Sequence, residues 1–362
     1  MTAPIKLSQF ETALAEALPA GDLRDSLTGR GLPHRRVEEW KWSDLRSVLA
    51  RFDTSRVALV LDGSRQPDFE AKASSPHIMA QLAAELGGEP QGFTLSEAET
   101  LRLDFAAQAG AAHQIIHVRV PAGVTATLQE TYTASEGAFA NIAIAITVEA
   151  GARLDRIIEQ DRAPGAVLVV TSEIDLAAGA QMNQTTLGFG AKLARLETHV
   201  AHAGQGARLR LDGAYVVGEG LHLDQTSLVR HSGPGGETDE LFKGAARSGK
   251  GVFQGKIHVE QAAQKTDAQM QHRGLLLDDR GEIDAKPELE IYADDVVCAH
   301  GNALGALDED ALFYMRQRGL PETKARALLV ESFLAEPLER IADETLRETF
   351  IERLRARLKE IA

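Results

Sequence analysis

Apolar side chains follow two different periods along the chain, which divide it into three regions. In the first region, residues 1–110, apolar residues recur at the spacing of an amphipathic helix: Leu7, Phe10, Leu14 and Leu18. Gly21 is placed to end that helix. A short strand is expected at residues 57–61, before the turn residues Asp62 and Gly63. The first region is therefore predicted to be mixed and mostly helical.

The middle region, residues 111–304, changes to a period of two. Apolar residues alternate with other residues in short runs, such as Ile116, Val118 and Val120, or Leu209 and Leu211. The runs are rich in β-branched residues and are separated by glycines, which is typical of strands joined by turns. This region is predicted to be entirely β.

Glycine turns in the middle region repeat at a nearly fixed interval. Gly123, Gly151, Gly179 and Gly206 each precede a strand, and they are 28, 28 and 27 residues apart. An interval of this size is typical of stacked repeats, and the alternation favours stacked β coils over pairs of helices. The alternative is a β-sandwich with evenly spaced hairpins, although sandwich turns usually recur every 8 to 12 residues or so. The pattern favours a β-solenoid.

The third region, residues 305–362, returns to the helical period. Asp308 is placed to cap a helix that ends at Gly319, and Pro321 suits the first turn of the next helix. The second helix is expected to gather Ala325, Leu328, Leu329 and Phe333 on one face, and a last helix carries Leu346, Phe350, Leu354 and Leu358. Such helices can cap the end of a solenoid or dock another protein.

Composition and charge exclude several classes of protein. The 362 residues include 39 basic and 53 acidic ones, a net charge of −14, and 44% are hydrophobic. This hydrophobic content excludes a disordered chain, and the acidic excess argues against a nucleic-acid partner. Residues 1–18 lack the features of a signal peptide, and no apolar run reaches the roughly 20 residues of a membrane helix. We therefore expect a soluble, cytoplasmic protein without a membrane partner.

Two sequence patterns suggest sites but have plainer explanations. Residues 244–251 approach the phosphate-binding loop G-x-x-x-x-G-K-[ST], but Gly251 replaces the hydroxyl residue, and the following residues predict a strand where the loop requires a helix. His199 and His202 are three residues apart, which on a strand places them on opposite faces. We expect a turn in the first case and ordinary polar or hydrogen-bonded histidines in the second.

Glu288 and Glu290 are candidates for a pair of catalytic carboxylates. Some β-solenoids cleave polysaccharides with acidic groups, so a carbohydrate-active enzyme is one alternative for this chain. The plainer interpretation is a solvated strand face, because simple alternation places both acids outward. The low aromatic content, 5%, also counts against a sugar-binding cleft.

Cys298 is the single cysteine, and His300 follows it at strand spacing. If the strand that contains Leu289 continues this far, both side chains point to the same face. A thiol beside an imidazole suits soft-metal or sulfur chemistry, whereas the alternative is an inert buried cysteine. Iron–sulfur clusters need about four ligands, so this pair supplies only part of a site and a second chain would have to supply the rest.

Three segments around these residues resemble the SufB/SufD family, the scaffold subunits of the Suf machinery for iron–sulfur cluster assembly. They are residues 253–259 (FQGKIHV), 264–269 (QKTDAQ) and 283–301 (IDAKPELEIYADDVVCAHG). The resemblance is strong over residues 210–335 and extends weakly to residues 32–42. The Cys-x-His-Gly sequence followed by Gly305 is similar to the SufD branch, from which Asn302 and Ala303 depart.

The resemblance implies a fold, a function and a set of partners. The fold is a right-handed parallel β-helix between an N-terminal mixed, mostly helical region and a C-terminal helical one. The function is that of a non-enzymatic scaffold in a complex with one SufB-like paralogue and two copies of a SufC-like ABC-type ATPase. The ATPase would dock through the C-terminal helices, where the apolar candidates are Leu328, Leu329 and Phe333.

The resemblance also assigns a role to the Cys-x-His pair. Cys298 and His300 would lie at the interface with the SufB-like subunit and contribute metal ligands shared with it. The iron–sulfur cluster would be held only transiently, by the complex and not by this chain alone. Two copies of this chain could pair as a homodimer in isolation.

Overall fold

The structure of the protein is a computed structural model that describes residues 5–70 and 75–361. Residues 1–4, 71–74 and 362 lie outside the described part. The expectation about a signal peptide concerns residues 1–18, so its first four residues are among them. Among the described helices, none combines the length and apolarity needed to span a lipid bilayer.

The N-terminal helices begin as the apolar spacing predicts. They are α1 (Gln9–Ala17), α2 (Asp22–Arg30), a 3-10 turn (Glu38–Trp40), α3 (Leu45–Leu49) and α4 (Ile78–Leu86). A capping box starts α1: the Glu11 amide donates to the Ser8 hydroxyl at 3.2 Å, and the Ser8 amide donates to the Glu11 carboxylate at 2.7 Å. Gly21 does not end α1, which is capped at Leu18, but precedes α2 as its N-cap residue.

Seventeen strands are described, and nearly all of them build a solenoid. They are β1 (Val60–Gly63), β2 (Gln91–Thr94), β3 (Thr100–Ala107), β4 (Gly110–Val120), β5 (Thr125–Ala134), β6 (Ala138–Val148), β7 (Arg153–Gln160), β8 (Ala163–Leu176), β9 (Gln181–Gly188), β10 (Ala191–His202), β11 (Arg208–Val217), β12 (His222–His231), β13 (Glu237–Ala246), β14 (Lys250–Val259), β15 (Asp267–Leu276), β16 (Glu282–Ile291) and β17 (Val297–Gly305). Odd-numbered strands form a nine-stranded sheet and even-numbered strands an eight-stranded sheet. Apart from β1, which runs antiparallel to β3, the paired strands are parallel. The prediction of a mainly β, parallel solenoid with helices at both ends is confirmed.

The predicted interval is the length of one coil. Thr125 lies opposite Arg153, Arg153 opposite Gln181, and Gln181 opposite Arg208, so successive coils are offset by the same 28, 28 and 27 residues. The four repeated glycines have φ between 67° and 80°, a left-handed conformation that glycine adopts without steric cost. The sheets also include β1, β2 and β3, which lie within residues 1–110.

The two helical regions cover the outer faces of different sheets. The N-terminal helices pack on the eight-stranded sheet, through contacts that include Phe10 with Phe139 at 5.5 Å between ring centroids. The C-terminal helices pack on the nine-stranded sheet, where Leu334 and Leu354 are fully buried against residues such as Val216. The solenoid interior is a separate apolar core.

The C-terminal helices are α5 (Glu309–Gln317), α6 (Glu322–Glu339) and α7 (Glu344–Ile361). The Asp308 carboxylate caps α5 by accepting from the amides of Asp310 and Ala311, and Gly319 follows the helix at φ 86°, as predicted. Pro321 is the N-cap residue of α6 and lies one position before its first turn. In α7, the predicted face is buried at Phe350, Leu354 and Leu358.

Residues 244–251 comprise the end of β13, the three-residue turn 247–249 and the start of β14. A strand follows the glycines, so the segment is a turn of the solenoid and not a phosphate-binding loop.

Candidate functional site

Strands β16 and β17 form the last coil, which we call the open end of the solenoid. Each is the outermost strand of its sheet, and in the described part of the chain no further strand pairs with either. Four large apolar side chains are exposed on this coil: Ile291, Tyr292, Val297 and Leu304. An exposed edge strand presents unpaired amide and carbonyl groups, which can pair with another strand.

Cys298 and His300 both lie on β17, but not by the route that the sequence suggests. The strand that contains Leu289 ends at Ile291, and a corner with the buried Ala293 separates it from β17, which belongs to the other sheet. The sequence made the shared face conditional on one continuous strand, and that condition is not met: residues 292–296 form the corner, although apolar residues on both sides of Asp294 and Asp295 resemble a single strand. The two residues nevertheless share a face, because both are on β17 and are two positions apart.

That face continues the inward-facing row of the preceding coil. Cys298 lies opposite Ala268 and His300 opposite Met270, and both of these β15 residues are fully buried. Cys298 is half-buried against the core, whereas His300 is exposed because no later coil covers it. Burial, with a smaller contribution from Asp267, raises the pKa of the Cys298 thiol. The thiol is therefore protonated at neutral pH, and a nearby cation or metal ion would be needed to form the thiolate.

A chain of polar contacts leads from β17 into the interior. The Asn302 Oδ1 lies 2.9 Å from His272 Nδ1, and the Tyr215 hydroxyl lies 3.0 Å from His272 Nε2. His272 also stacks on Phe253 with 5.0 Å between ring centroids, and burial lowers its pKa to about 4. The sequence analysis missed these polar contacts, although Asn302 follows Cys298 and His300 at the same spacing of two residues.

The carboxylates of Glu288 and Glu290 are engaged in ion pairs. Glu290 contacts Lys256 Nζ at 2.6 Å and His258 Nδ1 at 3.1 Å, and Glu288 contacts Lys286 Nζ at 3.0 Å. The hydrogen bonds from Lys256 and His258 lower the pKa of Glu290, which disfavours a role as a general acid. The geometry is that of a charged strand face.

The apolar face predicted on α6 is divided between the core and the surface. Ala325 is buried, Leu329 is half-buried, and Leu328 is 38% exposed. Phe333 packs partly against the C-terminal core, with Lys243 Nζ 4.5 Å from the centre of its ring.

Two aromatic residues on α5 add to the exposed surface of the C-terminal helices. Phe313 is 62% exposed and Tyr314 is 58% exposed. The sequence pattern of this helix did not single out these two residues.

His199 and His202 contact different histidines, consistent with their odd spacing on β10. His199 stacks on His77 at 3.8 Å between ring centroids, and His202 packs on His231 at 4.2 Å.

Comparison with known proteins identifies relatives of the chain. A family model described as "SUF system FeS cluster assembly, SufBD core domain" matches residues 104–333. The iron-sulfur cluster assembly protein SufD of Escherichia coli K12 is 31% identical over 250 residues, which cover 68% of this chain and 59% of that protein. The SufBD family protein ML0594 of Mycobacterium leprae is 33% identical over 213 residues, covering 56% of this chain and 54% of the relative. SufD of Bacillus subtilis is 30% identical over 156 residues, covering 41% of this chain and 36% of that protein.

The matches thus span less than two thirds of the length of these relatives. The family model, in contrast, spans most of this chain: β4 to β17, α5 and more than half of α6. The solenoid that it covers is also the part that carries Cys298 and His300. The chain therefore belongs to the SufBD core-domain family of the SUF iron–sulfur cluster assembly system.

Proposed function

We propose that this protein is a non-catalytic scaffold subunit for iron–sulfur cluster assembly in the cytoplasm. It pairs through the open end with a SufB-like paralogue and docks a SufC-like ABC-type ATPase on its C-terminal helices. The observation that carries the proposal is the position of Cys298 and His300 on an edge strand with no outer neighbour in the described structure.

The open end has the properties of a surface for strand pairing. Two edge strands expose backbone groups there, and the exposed fraction of Val297 is 65% and that of Tyr292 is 58%. Edge-to-edge addition of a partner strand would satisfy the backbone groups and cover the apolar side chains. A related solenoid with its own edge strands is a suitable partner. Two copies of this chain could use the same surface in isolation.

The open end, which would form the junction with the paralogue, offers only part of the ligand set that a cluster needs. His300 offers an exposed imidazole and Cys298 a half-buried thiol, which together are fewer than the four or so ligands of a cluster. The paralogue would contribute the rest, so the cluster is cargo of the assembled complex. ATP-driven movement of the docked ATPase would shift the C-terminal helices and expose this junction.

Substitution of His300 tests the role of the junction. The protein with His300→Ala should still fold and assemble with its partners, because an exposed edge residue contributes little to folding. The reconstituted complex should form the cluster at least tenfold more slowly, because it lacks one of the proposed ligands. Cluster formation is followed by visible absorption after anaerobic addition of iron and a sulfur donor. Gln269→Ala is the matched control, because Gln269 is exposed on the neighbouring β15 and belongs to the opposite, outward-facing row. Equal rates for His300→Ala and the unmodified protein would remove His300 from cluster assembly.

A further inference from the structure

Two histidines and a glutamate meet between α4 and the outer face of the eight-stranded sheet. His77 is the N-cap residue of α4, Glu173 lies on β8 and His199 lies on β10. Glu173 and His199 are direct partners in the strand register. Two strands of the eight-stranded sheet, β12 and β14, lie between β10 and β16, so this cluster is distinct from the open end.

The polar atoms of the cluster are only partly satisfied. His77 Nε2 lies 3.7 Å from Glu173 Oε1, and the Ser75 hydroxyl donates to the same oxygen at 2.6 Å. Both ring nitrogens of His199 are buried, and within residues 5–70 and 75–361 neither has a hydrogen-bond partner. Leaving a buried polar group without a partner is costly, so His199 is a candidate for binding a ligand.

We propose that His77, Glu173 and His199 bind a divalent first-row transition-metal ion, Zn²⁺ or Fe²⁺. Their ligand atoms all lie within 4.8 Å of one another. Ligands about 2.1 Å from a tetrahedral ion are roughly 3.4 Å apart, so only a small closure is needed. Two imidazoles and one carboxylate suit either ion and leave coordination positions for water.

Binding requires a defined movement of the rings. A metal ion lies in the plane of each imidazole that binds it, whereas the two rings are stacked with 17° between their planes. The rings must therefore open, and His77, whose side chain is 35% exposed, is the ring with access to solvent.

Neighbouring groups support the site from the sheet. Glu197 Oε2 lies 4.0 Å from His199 Nε2, but its carboxylate is held by Arg195 at 2.7 Å and by the Thr171 hydroxyl at 3.1 Å. Glu197 is thus held in the sheet beside His199 and is not free to move to the ion.

The second histidine pair provides an internal control. His202 Nε2 lies 3.2 Å from the Glu237 carbonyl oxygen, and its Nδ1 accepts from the Gly204 amide at 3.1 Å. Both nitrogens of His202 are therefore occupied, and His202→Gln should leave metal binding unchanged.

Calorimetric titration of the full, untagged chain with Zn²⁺, and anaerobically with Fe²⁺, tests the site. We expect one ion per chain, and at least tenfold weaker binding for His199→Gln and for Glu173→Gln. The second variant keeps the size of a half-exposed side chain, so it remains informative if His199→Gln fails to fold.

Three results would overturn the proposal. The first is absence of stoichiometric binding of either ion. The second is binding that is unchanged in both cluster variants. The third is binding that is lost in Cys298→Ser or His300→Ala but kept in Glu173→Gln, which would assign the ion to the open end. Because the cluster variants leave the open end intact, failure here leaves the scaffold proposal untouched.

Discussion

Arg195 joins the N-terminal region to the solenoid through buried charge. Its guanidinium is fully buried, lies 2.7 Å from the Glu197 carboxylate, contacts the Asp224 carboxylate, and stacks over Trp40 at 4.1 Å. The Ser43 hydroxyl also donates to Asp224. Segments about 180 residues apart in sequence are thus held by one charge network.

Replacing Arg195 should be strongly destabilising. Arg195→Met leaves two buried carboxylates without their cation, so the free energy of unfolding should fall by about 3–5 kcal/mol. Denaturant unfolding measures the loss. Arg208→Met is the control, because its ion pair with Glu237 is exposed and such pairs contribute less than about 1 kcal/mol. Similar losses for the two variants would contradict the importance of this network.

Glu240 is a carboxyl group inside the solenoid that takes up a proton when the chain folds near neutral pH. It is fully buried and accepts one hydrogen bond, from the Ser227 hydroxyl at 2.7 Å. Burial raises the pKa of Glu240 to about 8 from an ordinary value of 4.5. Between these values the folded state holds a proton that the unfolded state has released, so stability falls as pH rises.

Glu240→Gln should remove this pH dependence. Relative to the variant, the folding equilibrium constant of the unmodified protein should fall by a factor approaching ten per pH unit between about pH 5 and pH 8. Denaturant unfolding at several pH values measures the difference, and contributions of the buried histidines cancel in the comparison. Parallel stability profiles for the two proteins would show that Glu240 is ionised in the fold.

At the scale of the elements, sequence alone predicts what is local and repeated. Ala126, Leu154, Met182 and Leu209 lie on successive coils and are aligned in one inward-facing row. The alternation of apolar residues and the repeated glycine turns that produce this alignment are visible in the sequence without tertiary information. The caps of α1 and α5 are local as well, because their partners are three residues away or fewer.

Contacts between distant segments could not be predicted in this way. The cluster of His77, Glu173 and His199 combines residues separated by 96 and 26 positions, and only the register of β8 and β10 brings the last two together. The corner between β16 and β17 was missed for a different reason: β-branched residues on both sides of it mimic one strand. Cys298 and His300 were found because two residues on one strand need no knowledge of other strands.

The predicted docking residues on α6 differ in how directly their substitution tests binding of the ATPase. Leu328→Asp should leave the fold intact and weaken binding of the ATPase at least tenfold, because Leu328 is exposed. Phe333→Asp should also lower stability, because Phe333 packs on the C-terminal core and under Lys243. Binding by calorimetry and thermal unfolding separate the two effects.

The control for α6 is Val60→Asp, which places the same charge on an exposed apolar position of β1, at the other end of the solenoid. Unchanged affinity of folded Leu328→Asp would remove this helix from the proposed interface.

At the scale of the whole molecule, the two ends of the solenoid differ in their edge strands. At the N-terminal end, the outermost strands β1 and β2 are only four residues long, β1 runs antiparallel along β3, and Phe69 forms an antiparallel bridge to Gly92 of β2. At the other end, β16 and β17 are longer edge strands with exposed apolar side chains, while the C-terminal helices lie along the outer face of the nine-stranded sheet. This asymmetry suits a subunit that is completed at one end by a partner.

The most direct test of the scaffold account is the composition of the complex that contains this chain in its own cells. Mild affinity purification followed by native mass spectrometry gives the subunit masses and stoichiometry. We predict one copy of this chain, one second SufBD-family chain and two ABC-type ATPase subunits, with loss of the SufBD-family chain when Val297→Asp places a charge on β17. Recovery of the unmodified chain alone or as a homodimer, without an ATPase at any salt concentration tried, would contradict the account.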